Sequence, residues 1–270
     1  MAILMLHARY NRWVSRWRNS SLWPSLTVTR RIGGVIVEVD LEPLSQMSFP
    51  MFFGRYEPLT IQAFRSLLTQ GDTVFDVGAN VGYLSAVAAD AVGQTGQVHS
   101  FEPVPKYFRK LRRLVEINPN YVIVANQMAV GERAGNATIH TSISNVGHHT
   151  MVPHLIDPDD LEAVLKVPVI TLDAYIRQAA VSRLALVKID VEGFEFPVLR
   201  GLQGFLETGQ RPSIIVEITP EAYRAQGHTL ADLARFIRSY GYRAFSLDAI
   251  GKTEIDVRVL DRLTDIVFLG

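Results

Sequence analysis

Thr73-Val74-Phe75-Asp76-Val77-Gly78-Ala79-Asn80-Val81-Gly82, followed by Tyr83-Leu84-Ser85-Ala86-Val87-Ala88-Ala89, is the stretch from which the fold is read. A short apolar run, a turn with two glycines and an alanine-rich segment predict strand, turn and helix in succession. The same order returns at once. Residues 97–101 predict a second strand, ending at Glu102-Pro103. Behind it Phe108, Leu111, Leu114 and Val115 recur at helical spacing, opposite Arg109, Lys110, Arg112 and Arg113. Residues 122–130 predict a third strand. Strands alternating with helices in this way make a parallel sheet covered on both faces, so the chain is predicted to be α/β with a Rossmann-like βαβαβ half.

Upstream, Ile61, Phe64, Leu67 and Leu68 mark a helix that Gly71 ends, and runs at 25–29 and 34–41 predict a hairpin turning at Gly33-Gly34. Downstream, residues 131–169 lose the alternation and predict a hairpin plus a mobile loop on the substrate side. Order returns with strands at 184–189 and 213–218, helices at 196–206 and 230–240, and closing strands at 243–247 and 265–269. The expected organisation is an N-terminal extension over 1–55 and one catalytic domain over 56–270.

With 270 residues and 48% hydrophobic composition the chain can bury one sizeable core. It has no cysteine, which removes disulfides and thiolate chemistry. Lysine plus arginine equals aspartate plus glutamate at 27 each, so no overall field draws it to nucleic acid. No apolar run reaches the about 18 residues of a membrane span, and residues 1–6 are too short for a signal-peptide core. A cytoplasmic protein is expected. Residues 7–31 nevertheless carry Arg9, Arg12, Arg16, Arg18, Arg30 and Arg31 with Trp13, Trp17 and Trp23. They predict either peripheral contact with a membrane or a helix whose tryptophans pack on the domain. Oligomeric state has no signature in the sequence.

Ligands of an open parallel sheet bind beyond the carboxyl ends of its strands, where residues 76–82 fall. Glu102 lies 20 residues after Gly82, at the end of the second strand, where a carboxylate can take both ribose hydroxyls. A nicotinamide dinucleotide would need G-x-G-x-x-G, but Asn80 and Tyr83 stand where its second and third glycines belong. S-adenosylmethionine has no phosphate; Asp76 can meet its ammonium, and amides near Gly78 its carboxylate. The sulfonium cofactor is therefore expected over NAD.

Residues 76–82, Phe101-Glu102-Pro103, Ile170-Thr171-Leu172-Asp173 and Lys188-Ile189-Asp190-Val191-Glu192-Gly193 resemble, in order and spacing, the FkbM family of methyltransferases. The resemblance implies a seven-stranded class I methyltransferase sheet with an antiparallel last strand. It also implies O-methylation of a hydroxyl on a sugar, glycolipid or secondary metabolite. By motif, Asp76, Gly78, Asn80 and Gly82 would line the cofactor, with Glu102 on its ribose. Met128 and Ala129, by their place in the fold, would approach the adenine.

An alcohol is a poor nucleophile until its proton leaves, so a base is sought at the strand ends. Asp190, ending the fourth strand, is the first candidate, as base or as holder of a divalent cation that acidifies the hydroxyl. Glu192 can share either task. The competing reading makes both acids caps of the helix that follows. Lys188 is expected to pair with one of them, and Glu217, ending the fifth strand, either faces the pocket or closes a salt bridge at the rim. His148 or His149, in the insertion, is a further candidate base. A small-molecule or glycan hydroxyl acceptor is the expected partner. An NAD-dependent sugar oxidoreductase and a non-catalytic binding protein of the same fold are the rival functions.

Overall fold

The computed structural model describes residues 26–41, 47–143 and 149–270. The basic tryptophan-bearing segment up to residue 25 and His148 lie outside the described residues. Two strands, β1 (Leu26–Ile32) and β2 (Val35–Leu41), form the expected antiparallel hairpin. Helices α1 (Ser48–Phe53) and α2 (Pro58–Leu67) lead to β3 (Thr73–Val77), α3 (Tyr83–Val92), β4 (Gln97–Phe101), α4 (Pro105–Ile117) and β5 (Val122–Asn126). The insertion supplies β6 (Ala129–Val130), β7 (Gly135–Ser142), β8 (His149–Thr150) and β9 (Leu161–Ile170). There follow α5 (Leu172–Gln178), β10 (Leu186–Ile189), α6 (Glu195–Arg200), α7 (Gln203–Glu207), β11 (Ser213–Ile218), α8 (Pro220–Ala225), α9 (Leu230–Ser239), β12 (Arg243–Ser246) and β13 (Thr264–Leu269).

The main sheet has seven strands in the order β12-β13-β11-β10-β3-β4-β5. Only β13 runs antiparallel to its neighbours. Strand order reverses at β3, whose neighbours are β4 and β10, so a crevice opens above the carboxyl ends of these strands. Both faces are covered, which explains why the central strands read as continuous apolar runs. Val74 and Leu186 pack with β2, α2, α3 and α4 on one side. Phe75, Val77, Val187 and Ile189 pack with α5 to α9 on the other. The hairpin's Val35, Val37 and Val39 are buried in the first of these cores, continuous with the sheet.

Three segments depart from the sequence reading. Residues 122–130 do not form one strand: β5 stays in the main sheet, while Ala129 and Val130 pair with Val169 and Ile170 in a second sheet. Asn126 marks the break, its side-chain amide donating to the carbonyls of Ser100 and Val124 and to the Tyr175 hydroxyl. The insertion is more regular than expected, a four-stranded sheet ordered β6-β9-β7-β8. The helix expected over 196–206 is two, because Asp173 accepts from the Gly204 and Phe205 amides and starts α7 afresh. Thr171 caps α5 through the Ala174 amide, so this motif serves to lock the chain between β9 and β10.

Among the described residues no helix is long and apolar enough to cross a membrane.

Candidate active site

The crevice above β3, β4 and β10 holds a cleft with an empty volume of about 1130 Å³ including its mouth. Its floor follows from strand register. Asp76 and Lys188 are paired neighbours on β3 and β10, one step beyond Val74 and Leu186 on the same face. The face that is apolar deep in the sheet thus turns polar at the rim.

Asp76 is wholly buried. Its Oδ2 accepts from Ser85 at 2.5 Å, and Ser85 in turn accepts from Ser100 at 2.8 Å. Its Oδ1 has no hydrogen-bond partner and lines the cleft, a buried acceptor that asks for a donor. Burial pushes the Asp76 carboxyl up, and Lys188 opposes it. Across the turn, Glu102 accepts from the Asn80 amide at 2.9 Å and the Val104 amide at 2.7 Å. Burial raises its carboxyl to about 7 in spite of these two donors. Asn80, at φ 50°, leaves its Oδ1 buried without a partner.

Gly78 has φ 85°, and a Cβ there would lie 1.7 Å from the Asp190 carbonyl oxygen. The two loops touch through backbone, so Gly78 is required by the approach of β10's loop as well as by the cleft it lines. The amides of Gly78 and Ala79 both donate to the Phe101 carbonyl, at 3.0 and 2.9 Å. Both amides are thus engaged within the protein. Gly82 lies outside the residues that line the cleft. At φ 87° it begins α3, and its Cβ would meet Leu111 and Leu114 of α4 at 2.9 and 2.8 Å. It serves helix packing. Met128 and Ala129 line the cleft, as does Phe101.

Further acids line the same cleft. Asp190, Glu192 and Glu217 each bring a carboxylate oxygen within 4.8 Å of the others. Lys188 Nζ, buried beneath them, donates to Asp190 Oδ2 at 2.7 Å. Burial pulls the lysine down, but Asp190, Glu57 and Asp76 outweigh it and hold the ammonium well above its ordinary value. Burial, then repulsion from Asp190, raises Glu192 to about 8. Burial, then Asp190 and Glu192, raises Glu217 to about 9. Burial and mutual repulsion thus favour the protonated forms of Glu192 and Glu217. Glu57 is also pushed up by burial, and Asp265 to about 6 by burial and then Glu57. Asp190, Glu192 and Glu217 are the residues that would hold a divalent cation, and Lys188 already supplies positive charge to Asp190.

His149 lines the cleft and stacks on Tyr107, with ring centroids 4.7 Å apart. Met47, Met51, Tyr56, Glu57 and Ile139 complete the wall and were not found in the sequence. They lie in and around the lead-in helices α1 and α2 and in the insertion, where no motif or fixed spacing ties them to β3.

A family profile described as Methyltransferase FkbM domain matches residues 76–244. Hexuronic acid methyltransferase AglP of Haloferax volcanii is 27% identical over 150 residues, 55% of this chain and 56% of that protein. The 31-O-demethyl-FK506 methyltransferase FkbM of Streptomyces tacrolimicus is 28% identical over 204 residues, 65% of this chain and 74% of that protein. A methyltransferase FkbM of Methylobacillus flagellatus KT, known from its crystal structure, gives a TM-score of 0.46 at 18% identity, covering 77% of this chain and 48% of that one. The match thus spans only 56% of the Haloferax protein's length. The profile covers well over half of the chain, from Asp76 at the cleft floor through Lys188, Asp190, Glu192 and Glu217 to β12. The chain belongs to the FkbM family of methyltransferases.

Proposed function

We propose that this protein transfers the methyl group of S-adenosylmethionine to a hydroxyl oxygen of a small-molecule or sugar acceptor. The observation that carries the reading is one cleft lined by the buried Asp76, whose Oδ1 is unpartnered, by Glu102, and by the three clustered acids beside Lys188. S-adenosylmethionine supplies an electrophilic methyl carbon when bound. Asp76 Oδ1 would accept from its ammonium, Glu102 would accept from its ribose hydroxyls, and Met128 and Ala129 would flank its adenine. Asp190, assisted by its acidic neighbours, would orient the acceptor hydroxyl and take its proton, and the cofactor would leave as S-adenosylhomocysteine. Alignment of this kind supplies about 7–11 kcal/mol in favourable cases, and a positioned base about 10²- to 10⁴-fold.

The rival NAD reading is disfavoured by the same atoms. A pyrophosphate needs free backbone donors, and those of Gly78 and Ala79 are spent on Phe101 while Asp76 and Glu102 present carboxylates.

Thermal unfolding with S-adenosylmethionine, S-adenosylhomocysteine or NAD separates the two. A ligand at about 100 times its Kd adds about 2.7 kcal/mol to the native state. Both adenosyl compounds are expected to raise Tm and NAD to leave it unchanged; a shift with NAD alone overturns the proposal. Transfer of labelled methyl to a panel of methyl hexosides and methyl hexuronosides then tests the acceptor class. Glu102→Gln is expected to weaken S-adenosylmethionine binding by about 10- to 100-fold, the worth of a charge-assisted hydrogen bond of about 1.5–3 kcal/mol. Calorimetric titration giving an unchanged Kd would take Glu102 out of the cofactor site.

A further inference from the structure

The loop that carries Asp190 and Glu192 is unfavourable by itself. Glu192 has φ 53°, a left-handed conformation that a side chain resists, and Gly193 follows at φ 101°. Something must hold this turn, and the contacts converge on one buried side chain. Glu195 is fully buried at the start of α6. Its Oε1 accepts from the Gly193 amide at 2.7 Å and the Val191 amide at 3.3 Å, bracketing Glu192. From outside, Gln226 donates to the Gly193 carbonyl at 2.6 Å and Thr150 to the Glu192 carbonyl at 2.6 Å. Glu195 lies outside the set of residues lining the cleft.

We propose that Glu195 is a positioning residue for methyl transfer: its carboxylate oxygen clamps the amides on both sides of Glu192 and so sets where Asp190 and Glu192 meet the acceptor. The inference rests on the proposed methyl transfer for its catalytic consequence and on the hydrogen bonds alone for the clamp. What the clamp needs is an acceptor oxygen at that reach, not a charge. Oε2 has no hydrogen-bond partner in its buried site, as expected if only one oxygen is at work. A glutamine keeps the oxygen. An aspartate keeps the charge but draws the oxygen back by one methylene.

The test compares Glu195→Gln with Glu195→Asp in two measurements on the full chain. Hydrogen exchange at the Val191 and Gly193 amides reads the clamp directly: it should accelerate in Glu195→Asp and stay slow in Glu195→Gln. Turnover on the methyl hexoside that the wild-type protein methylates best should fall by about 100-fold in Glu195→Asp, the effect of displacing reacting groups by about 1 Å. Glu195→Gln should recover most of that rate. S-adenosylmethionine should still raise Tm in both variants, because Asp76 and Glu102 are unaltered. If Glu195→Gln is as slow as Glu195→Asp, the charge matters and the clamp is wrong; full turnover in Glu195→Asp also overturns it. Should the wild-type protein methylate no glycoside, the proposed acceptor class fails and exchange decides the clamp separately. Unchanged protection in Glu195→Asp then rejects it. Gln226→Ala, which removes the second anchor while leaving Glu195 intact, is expected to accelerate exchange at the same turn and covers the case in which Glu195→Asp fails to fold.

Discussion

Asp190→Asn is expected to lose turnover by about 10²- to 10⁴-fold and, unlike a substitution that only removes a base, to lose stability as well. The reason is Lys188. It is buried and its ammonium donates to Asp190 at 2.7 Å, so the neutral amide leaves a cation in the sheet rim with weaker compensation. Breaking a buried pair from one side costs about 3–5 kcal/mol, and Glu57 and Asp76 remain near Lys188 to hold the loss at the low end. A loss of about 3 kcal/mol corresponds to a Tm lower by about 6–12 °C. The pH dependence supplies a third signature. Repulsion from Asp190 is second only to burial among the causes that raise Glu192 and Glu217, to about 8 and about 9. Removing that charge lowers both, so the residual activity of the variant should rise with pH at lower pH than in the wild-type protein. A fully active Asp190→Asn would remove the residue from the mechanism. A pH profile displaced upward would contradict the electrostatic coupling.

Gly78→Ala is expected to damage both fold and cofactor binding, although it adds a single methyl group. At φ 85° an L residue is strained by about 1–2 kcal/mol. The larger cost is the contact. The new Cβ would sit 1.7 Å from the Asp190 carbonyl oxygen, a backbone atom that cannot swing away as a side chain can. The loops after β3 and β10 must part. Asp190 hydrogen-bonds through its own amide to the Val77 carbonyl at 2.9 Å, so parting them also strains the end of the β3–β10 ladder. A total loss of about 2–4 kcal/mol and at least a tenfold weaker S-adenosylmethionine affinity follow, read by thermal unfolding and calorimetry. Gly82→Ala is the control. Its Cβ would press on the side chains of Leu111 and Leu114, so it should lower stability while leaving cofactor affinity nearly intact. Equal loss of affinity in the two variants would show that the turn acts as a whole and not through the Gly78–Asp190 contact.

The local pattern of residues 73–130 carries its own structure. An apolar strand, a glycine turn and an amphipathic helix are each dictated by neighbours in sequence, so β3, α3, β4 and α4 stand close to where periodicity puts them. The places of Asp76 and Glu102 follow, because a residue at the end of a parallel strand reaches the crevice whatever the rest of the chain does. Asp190 and Glu192 are legible for the same reason. The sequence by itself therefore determined the parallel sheet, its switch point and the acids at its rim.

Tertiary structure decided what those residues touch. Gly78 and Gly82 look equivalent in sequence, yet one abuts the Asp190 backbone and the other the α4 side chains, since a turn bends only one residue toward each neighbour. The Gly78 and Ala79 amides look available until Phe101 is seen to occupy them. Tyr56 and Glu57 come to the acidic cluster from 17 and 16 residues before Thr73, with no spacing rule to foretell them, whereas for Glu217 the fold decides between the two places the sequence left open and puts it on the cleft. The raised carboxyls are likewise a property of assembly. Burial and mutual repulsion depend on distances between strands that are remote in sequence, and only the folded sheet fixes those distances.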